Sequence, residues 1–246
     1  MSRAMTPTSI LSFWRAQDLR CAAALWRSAL CIGLALSLGG CFDVHQNLHI
    51  NRDGSGSYGV SITGQGLVGE ALAEKPLHLT GLPPAVITRG GHGLVRQTAR
   101  VSFASLSDLK LPFDVISLRV RGHSFFGLGP AQVQLRRTFL LSNARESVAR
   151  MTGQSGPSVA QILPGRLKGN VYVFAVTVPG SVRRASSLRL GGQRIVPTIR
   201  GNFWNGHTVS WRVPVRLLLR RSILRFDVEF SAYGQFADVE SLPPGS

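Results

Sequence analysis

The chain has 246 residues, 44% of them hydrophobic and 8% aromatic, which is enough for one sizeable core, marginal for two, and unlike a low-complexity polymer. Charge is lopsided: 28 Lys+Arg against 12 Asp+Glu, a net +16, with Lys75, Lys110 and Lys168 the only lysines. Guanidinium binds phosphate and carboxylate bidentately, so the partners implied are anionic: nucleic acid, phospholipid headgroups or glycolipid.

Residues 22–40, AAALWRSALCIGLALSLGG, are apolar apart from Arg27 and two serines, and Arg3, Arg15 and Arg20 lie upstream. A basic segment, an apolar run of about ten residues from Ala29 and then small residues make a secretory signal over 1–40. The rival reading is an uncleaved anchor, since nineteen residues just span a bilayer. Ser37-Leu38-Gly39-Gly40-Cys41 resembles the lipobox of bacterial lipoproteins, which implies cleavage before Cys41 and palmitate-type acylation of that cysteine. Cysteine usage agrees, because Cys21 and Cys31 fall in the removed segment and leave Cys41 without a disulfide partner. Acyl chains at about 0.8 kcal/mol per buried CH₂ give a stable membrane anchor. The processed chain keeps 24 basic residues against 11 acidic ones, so the charge excess belongs to the folded domain.

From Cys41 to Asn51 apolar residues keep one parity (Phe42, Val44, Leu48, Ile50), as in a half-buried strand, and Arg52-Asp53-Gly54-Ser55-Gly56 turns it into a second strand over 57–63. Gly66 to Glu74 reads as a short helix stopped by Pro76. Strands follow near 85–89 and 94–103, a helical turn over 105–109, and strands around Ile116–Val120 and Ala131–Leu135. Asn143–Thr152 reads as a second helix and Gly153–Gly169 as a turn-rich connector. Strands return at 171–178, 188–189, 194–199, 208–215 and 223–230. With no repeat or long linker, the expectation is one α+β domain over 41–235. It has a mostly antiparallel curved sheet, one or two helices on one face, and a flexible tail over 236–246.

Several stretches imitate catalytic or metal chemistry. His45 and His49 share a strand face but stand roughly 13 Å apart, too far for one ion. Asn51–Ser57 opens like a calcium loop, yet its twelfth position is Ile62 instead of a bidentate Glu. Gly64-Gln65-Gly66-Leu67-Val68-Gly69 matches GxGxxG between a strand and a helix, but no acid follows about twenty residues on. No serine lies in a GxSxG elbow and no cysteine is free, so a non-enzyme is expected, without catalytic residues, metal or cofactor.

The arginines carry the remaining signal. Arg212, Arg216 and Arg220 share one parity in WRVPVRLLLRR, with Arg221 and Arg225 close by; Arg183, Arg184 and Arg189 precede them, and Arg119, Arg121, Arg136 and Arg137 lie on other strands. If they meet on one sheet face they form an anion- or headgroup-binding surface. An arginine-rich genome that places Arg wherever a surface cation is tolerated accounts for the same count. Nucleic-acid binding calls for interleaved exposed aromatics, whereas Phe139, Phe174, Trp211 and Phe226 fall at core positions.

Three landmarks then line up: Cys41-Phe42-Asp43-Val44 leading to Leu48–Gly56, Phe103–Leu109, and Val176–Val182 ahead of Thr208-Val209-Ser210-Trp211. Together they resemble the LppM-like family of bacterial lipoproteins. The resemblance implies an α+β domain with a curved sheet and a role in binding lipid or envelope glycolipid. The expected protein is therefore a lipid-anchored, extracytoplasmic envelope lipoprotein, facing the periplasm if Gram-negative, whose basic domain binds an amphipathic or anionic component. Phe125, Phe126 and Leu128 in HSFFGLGP form either a membrane-touching tip or a loop folded on the core. The alternatives are an assembly factor that binds another envelope protein, and an envelope hydrolase gathering His123 or His207 with Ser and Asp.

Overall fold

A computed structural model describes residues 42–74, 76, 81–111, 114–123, 129–141, 169–202, 206–218 and 222–241. Cys41, the signal segment, the HSFFGLGP residues 124–128 and the expected helix over 143–152 lie outside the described residues.

In chain order the elements are β1 (Phe42–Ile50), β2 (Gly56–Gly64), α1 (Leu67–Glu74), β3 (Val86–Arg89), β4 (Val95–Phe103), β5 (Asp114–His123), β6 (Ala131–Leu140) and β7 (Val171–Val178). Then come β8 (Ser181–Ala185), β9 (Leu188–Leu190), β10 (Gln193–Ile195), β11 (Thr198–Asn202), β12 (Gly206–Pro214), α2 (Val215–Leu218), β13 (Ile223–Ala232) and β14 (Val239–Glu240). They form a seven-stranded sheet in the order β11-β12-β7-β1-β2-β4-β3 and a five-stranded sheet in the order β14-β5-β6-β13-β8, with β9 and β10 paired separately. All pairings are antiparallel except β1 with β7, which makes the larger sheet mixed.

The expectation of an α+β domain with helices packed on one face is corrected: the protein is mostly β, and the apolar face of the larger sheet is covered chiefly by a second sheet. Each sheet alternates apolar and polar residues, so each has one face that must leave water. They bury those faces against each other. Leu48, Ile50, Tyr58, Phe174, Val176, Val209 and Trp211 from one sheet share a core with Ile116, Leu118, Val133, Leu135, Phe226, Val228 and Phe230 from the other. Phe174 stacks on Trp211 at 5.8 Å between centroids, and Phe226 meets both rings at 4.9 and 5.2 Å. The eight-residue α1 only caps one corner, with Val68 and Leu72 seated over Gly64.

Two turns show why particular residues stand where they do. Pro179-Gly180 carries the chain from β7 in one sheet to β8 in the other; Gly180 has φ +90°, and a Cβ there lies 2.3 Å from the Ser231 carbonyl oxygen. At Leu106–Asp108 a single helical turn is closed by a capping box, the Ser105 N–H donating to Asp108 Oδ2 at 2.8 Å.

Candidate functional site

The arginines of the sandwich divide among three places. On the outer face of the seven-stranded sheet, register rows run across the strands: Arg200, Thr208, Thr177, His49, Ser57 and Ser102 form one. Arg212, Val173, His45, Ser61 and Thr98 form another, and Arg100 and Arg96 lie on the same face of β4. Large cations thus flank a centre floored by Ser57, Gly59, Ser61 and Thr63 on β2 and by Val171, Val173, Ala175 and Thr177 on β7. Arg100 Nη2 donates to Ser57 Oγ at 2.8 Å, and Arg96 Nε donates to Thr63 Oγ1 at 3.3 Å. Hydroxyls orient these two guanidiniums and leave their charge uncompensated. Among the described residues, Arg96, Arg100, Arg200 and Arg212 make no ion pair. Among the described residues the face carries one carboxylate, Asp43, which accepts the Val171 N–H at 2.9 Å.

The outer face of the five-stranded sheet is mixed in charge. Arg136 Nε pairs with Asp227 Oδ1 at 2.7 Å, and Arg121 donates through Nη2 to Gln134 Oε1 at 2.6 Å. Glu229 and Glu240 share this face. A shallow polar cleft of about 140 Å³ is lined there by Ser117, Arg119, Gln134, Arg136, Thr138 and Glu240.

Of the four arginines proposed from sequence, Arg212 lies exposed on β12, while Arg216 has left the strand and lies on α2. The shared parity fails because Pro214 cannot donate to a ladder, so β12 ends there and a helical turn follows. Arg220 and Arg221 lie outside the described residues. Arg119, Arg121 and Arg136 are on the opposite side of the sandwich from Arg212, so the arginines do not gather on one face.

The third place is the interior, which sequence reasoning missed. Arg137 on β6 is 0% exposed between the sheets. Its Nε and Nη2 donate to Asp114 Oδ1 and Oδ2 at 2.8 Å each, and its Nη1 donates to Tyr172 Oη at 2.8 Å. Nη2 also donates to Gln46 Oε1, which accepts from Tyr172 Oη, while Tyr58 Oη donates to Asp114 Oδ2 at 3.3 Å. The guanidinium lies 4.1 Å from the Phe174 ring centroid and 5.2 Å from that of Phe139. Burial pulls the Arg137 pKa down, but the Asp114 carboxylate and the two tyrosines outweigh it and hold the value above the ordinary one. Burial, reinforced by the Asp114 charge, pushes Tyr58 well above its ordinary value, and burial likewise raises Tyr172 despite Arg137. The cluster keeps one cation and one anion locked inside and links β5 and β6 to β1, β2 and β7. Parity was the available signal: Arg137 continues the inward series Val133–Leu135, Asp114 the series Ile116–Leu118, and Gln46 the series Val44–Leu48.

The stretches that imitated other chemistry are structural. Asp53 Oδ1 accepts from Ser55 Oγ at 2.6 Å and from the Ser55 N–H at 3.0 Å, and these bonds hold its carboxyl below the usual value. His49 Nε2 bonds Asn51 Oδ1 at 2.9 Å on the hairpin surface. Within GxGxxG, a Cβ on Gly64 lies 2.7 Å from Val68 and one on Gly69 lies 2.7 Å from the Gly93 carbonyl oxygen, while Gly66 has φ +60°. Packing and turn geometry account for all three glycines. Among the described residues no three His, Cys, Asp or Glu side chains stand together to hold a metal, and His207 Nδ1 is bonded to the Gly180 carbonyl at 2.6 Å.

No family model and no curated protein matches the chain. Among solved structures it is similar to the folded domain of the Mycobacterium tuberculosis LppM protein, determined by NMR: 14% identity, 78% of this chain and 91% of that one, TM-score 0.39. It is also similar to an M1 zinc metallopeptidase from Deinococcus radiodurans and to a mutant of that enzyme. Each is 11% identical at TM-score 0.26, and the match spans 76% of this chain but only 40% and 41% of the enzyme chains.

Proposed function

We propose that this chain is an LppM-like envelope lipoprotein, held in a membrane by acyl chains on Cys41. Its sandwich binds an anionic, amphipathic envelope component on the outer face of the seven-stranded sheet. The observation that carries the reading is the cation set Arg96, Arg100, Arg200 and Arg212, which among the described residues makes no ion pair and shares its face with one carboxylate, itself engaged by backbone. A lipid or glycolipid headgroup supplies phosphate or carboxylate to such a set, and the Ser and Thr hydroxyls between the arginines supply donors for its sugar or glycerol oxygens. The aromatic interior around Phe174, Trp211 and Phe226 is filled, which favours recognition at a surface over carriage in a cavity.

The test is a titration of the full-length protein, held in neutral phosphatidylcholine nanodiscs, with short-chain phosphatidylglycerol and short-chain phosphatidylcholine. Saturable binding of the anionic lipid alone, weakened at least tenfold by Arg100→Gln, Arg200→Gln and Arg212→Gln together, supports the reading. Equal binding of both lipids, or indifference to the triple substitution, refutes it. For the anchor, Cys41→Ser releases the protein from membranes; retention with unprocessed mass shows a spanning segment instead.

A second reading, protein assembly, draws on the edge strand β11. Ile199 is 47% exposed on it and Val196, just before it, 63%, and among the described residues no strand pairs with its outer edge, the arrangement that strand addition uses.

A further inference from the structure

The geometry points to a fixed pose on the membrane: the end of the sandwich where β1 begins faces the bilayer and the strands rise away from it. This rests on the proposed anchor at Cys41. Phe42, one peptide bond beyond, is already the first residue of β1, and its N–H donates to Asn170 Oδ1 at 3.2 Å. The tether is thus one residue, about 3.8 Å of chain. β1 is the fourth of seven strands, so the anchor leaves the middle of the sheet end with three strands on each side to resist tilting.

Lying on its outer face is the competing pose. A sheet's backbone stands about 5 Å above whatever its side chains rest on, half the usual sheet-to-sheet spacing. The headgroup layer adds roughly 5–7 Å per leaflet. One residue cannot cover that depth, whereas the upright pose brings Phe42 itself to the headgroups.

The charges at this end suit an anionic surface. The first register row is Phe42, Gly64, Val95 and Arg89; the next is Asp43, Thr63 and Arg96. Arg216 lies here too, since the Val215 N–H donates at 3.0 Å to the carbonyl of the same Asn170. Arg89, Arg96 and Arg216 are all exposed; the acids beside them are Asp43, engaged by backbone, and Glu70 and Glu74 on α1. Counting along β1 at about 3.3 Å per residue puts Arg100 about 17 Å and Arg200 about 23 Å above Phe42. Those heights exceed the Debye length of about 8 Å at physiological salt. Of the outer-face set, Arg96 therefore lies within reach of the protein's own bilayer, together with Arg89 and Arg216. Arg212, level with His45 and about 10 Å above Phe42, joins Arg100 and Arg200 in standing clear of it for a ligand that stands out into the envelope.

The experiment reads depth. Gln65, just past the end of β2 that pairs with Phe42, and Gln235, whose N–H donates to the Arg52 carbonyl at the opposite end, are both exposed. Gln65→Cys and Gln235→Cys, each in the full-length protein, are labelled with a fluorophore in phosphatidylglycerol vesicles whose headgroups carry a short-range nitroxide quencher. Quenching several-fold stronger at position 65 is expected. Equal quenching, or stronger quenching at 235, overturns the pose. The intact mass of the same sample separates the two failures. An acylated protein with equal quenching defeats the pose alone; an unacylated one defeats the anchor and the pose with it.

Discussion

Arg137 and Asp114 form a bidentate ion pair wholly inside the sandwich, the guanidinium 0% and the carboxylate residue 5% exposed. Their strands belong to the smaller sheet, while Tyr172, Gln46 and Tyr58, which complete the hydrogen bonding, belong to the larger one. A buried pair gains little over an apolar substitute but is expensive to break, because the surviving partner keeps an unpaired charge away from water.

Arg137→Met is therefore expected to destabilise the domain by about 3–5 kcal/mol, and Asp114→Leu by a similar amount. The double substitution should cost much less than the sum of the two. Urea titration of all four proteins measures the coupling, and additive losses would show that the charges do not depend on each other.

Tyr58 and Tyr172 have folded pKa values above their unfolded value of about 10. Between the two, the unfolded chain has lost protons that the native state still holds, so stability falls as pH rises. The contribution is fully present below pH 10 and declines above it, by about 1.4 kcal/mol per pH unit for each tyrosine. Tyr172→Phe should lower stability at neutral pH through lost hydrogen bonds yet flatten the alkaline slope. Chemical denaturation at a series of pH values from neutrality upward reads both effects.

Gly64→Ala places a methyl 2.7 Å from Val68, and Gly69→Ala places one 2.7 Å from a backbone oxygen. Gly69 has the stiffer neighbour, so it should lose more, on the order of 2–3 kcal/mol, while Gly64→Ala loses about 1 kcal/mol as Val68 shifts. Neither is expected to alter binding of a phosphate-bearing ligand. Melting curves and the phosphatidylglycerol titration together check this.

On the outer face the expectation reverses. Arg100→Gln, Arg200→Gln and Arg212→Gln each change stability by less than about 0.5 kcal/mol, because they break no ion pair and open no cavity. Anionic-lipid binding should fall with the triple substitution and should also weaken as salt rises, since exposed charges are screened. Binding that is insensitive to salt would contradict an electrostatic face.

The sequence by itself determined the elements of this protein where its signal is local. Period-two alternation marks β1, β2, β4, β7 and β13 within a residue or two, and GLVGEALAE marks α1. It also determined that Asp53 and the GxGxxG glycines are turn and packing residues, because the partners such motifs need are missing from the chain itself. Tertiary structure alone decided the rest. Alternation says that a strand has an apolar face, not whether a helix or another sheet covers it, so the two-sheet sandwich was not legible. Short edge strands such as β8 and β14 carry too few residues to show a period. β14 and the buried Ser241, whose Oγ accepts the Ile116 N–H at 2.8 Å, tie down part of a tail that reads as flexible. Parity placed Arg137 and Asp114 inward on their strands, but only the packing of strands from both sheets brings each charge the partners that make its burial tolerable.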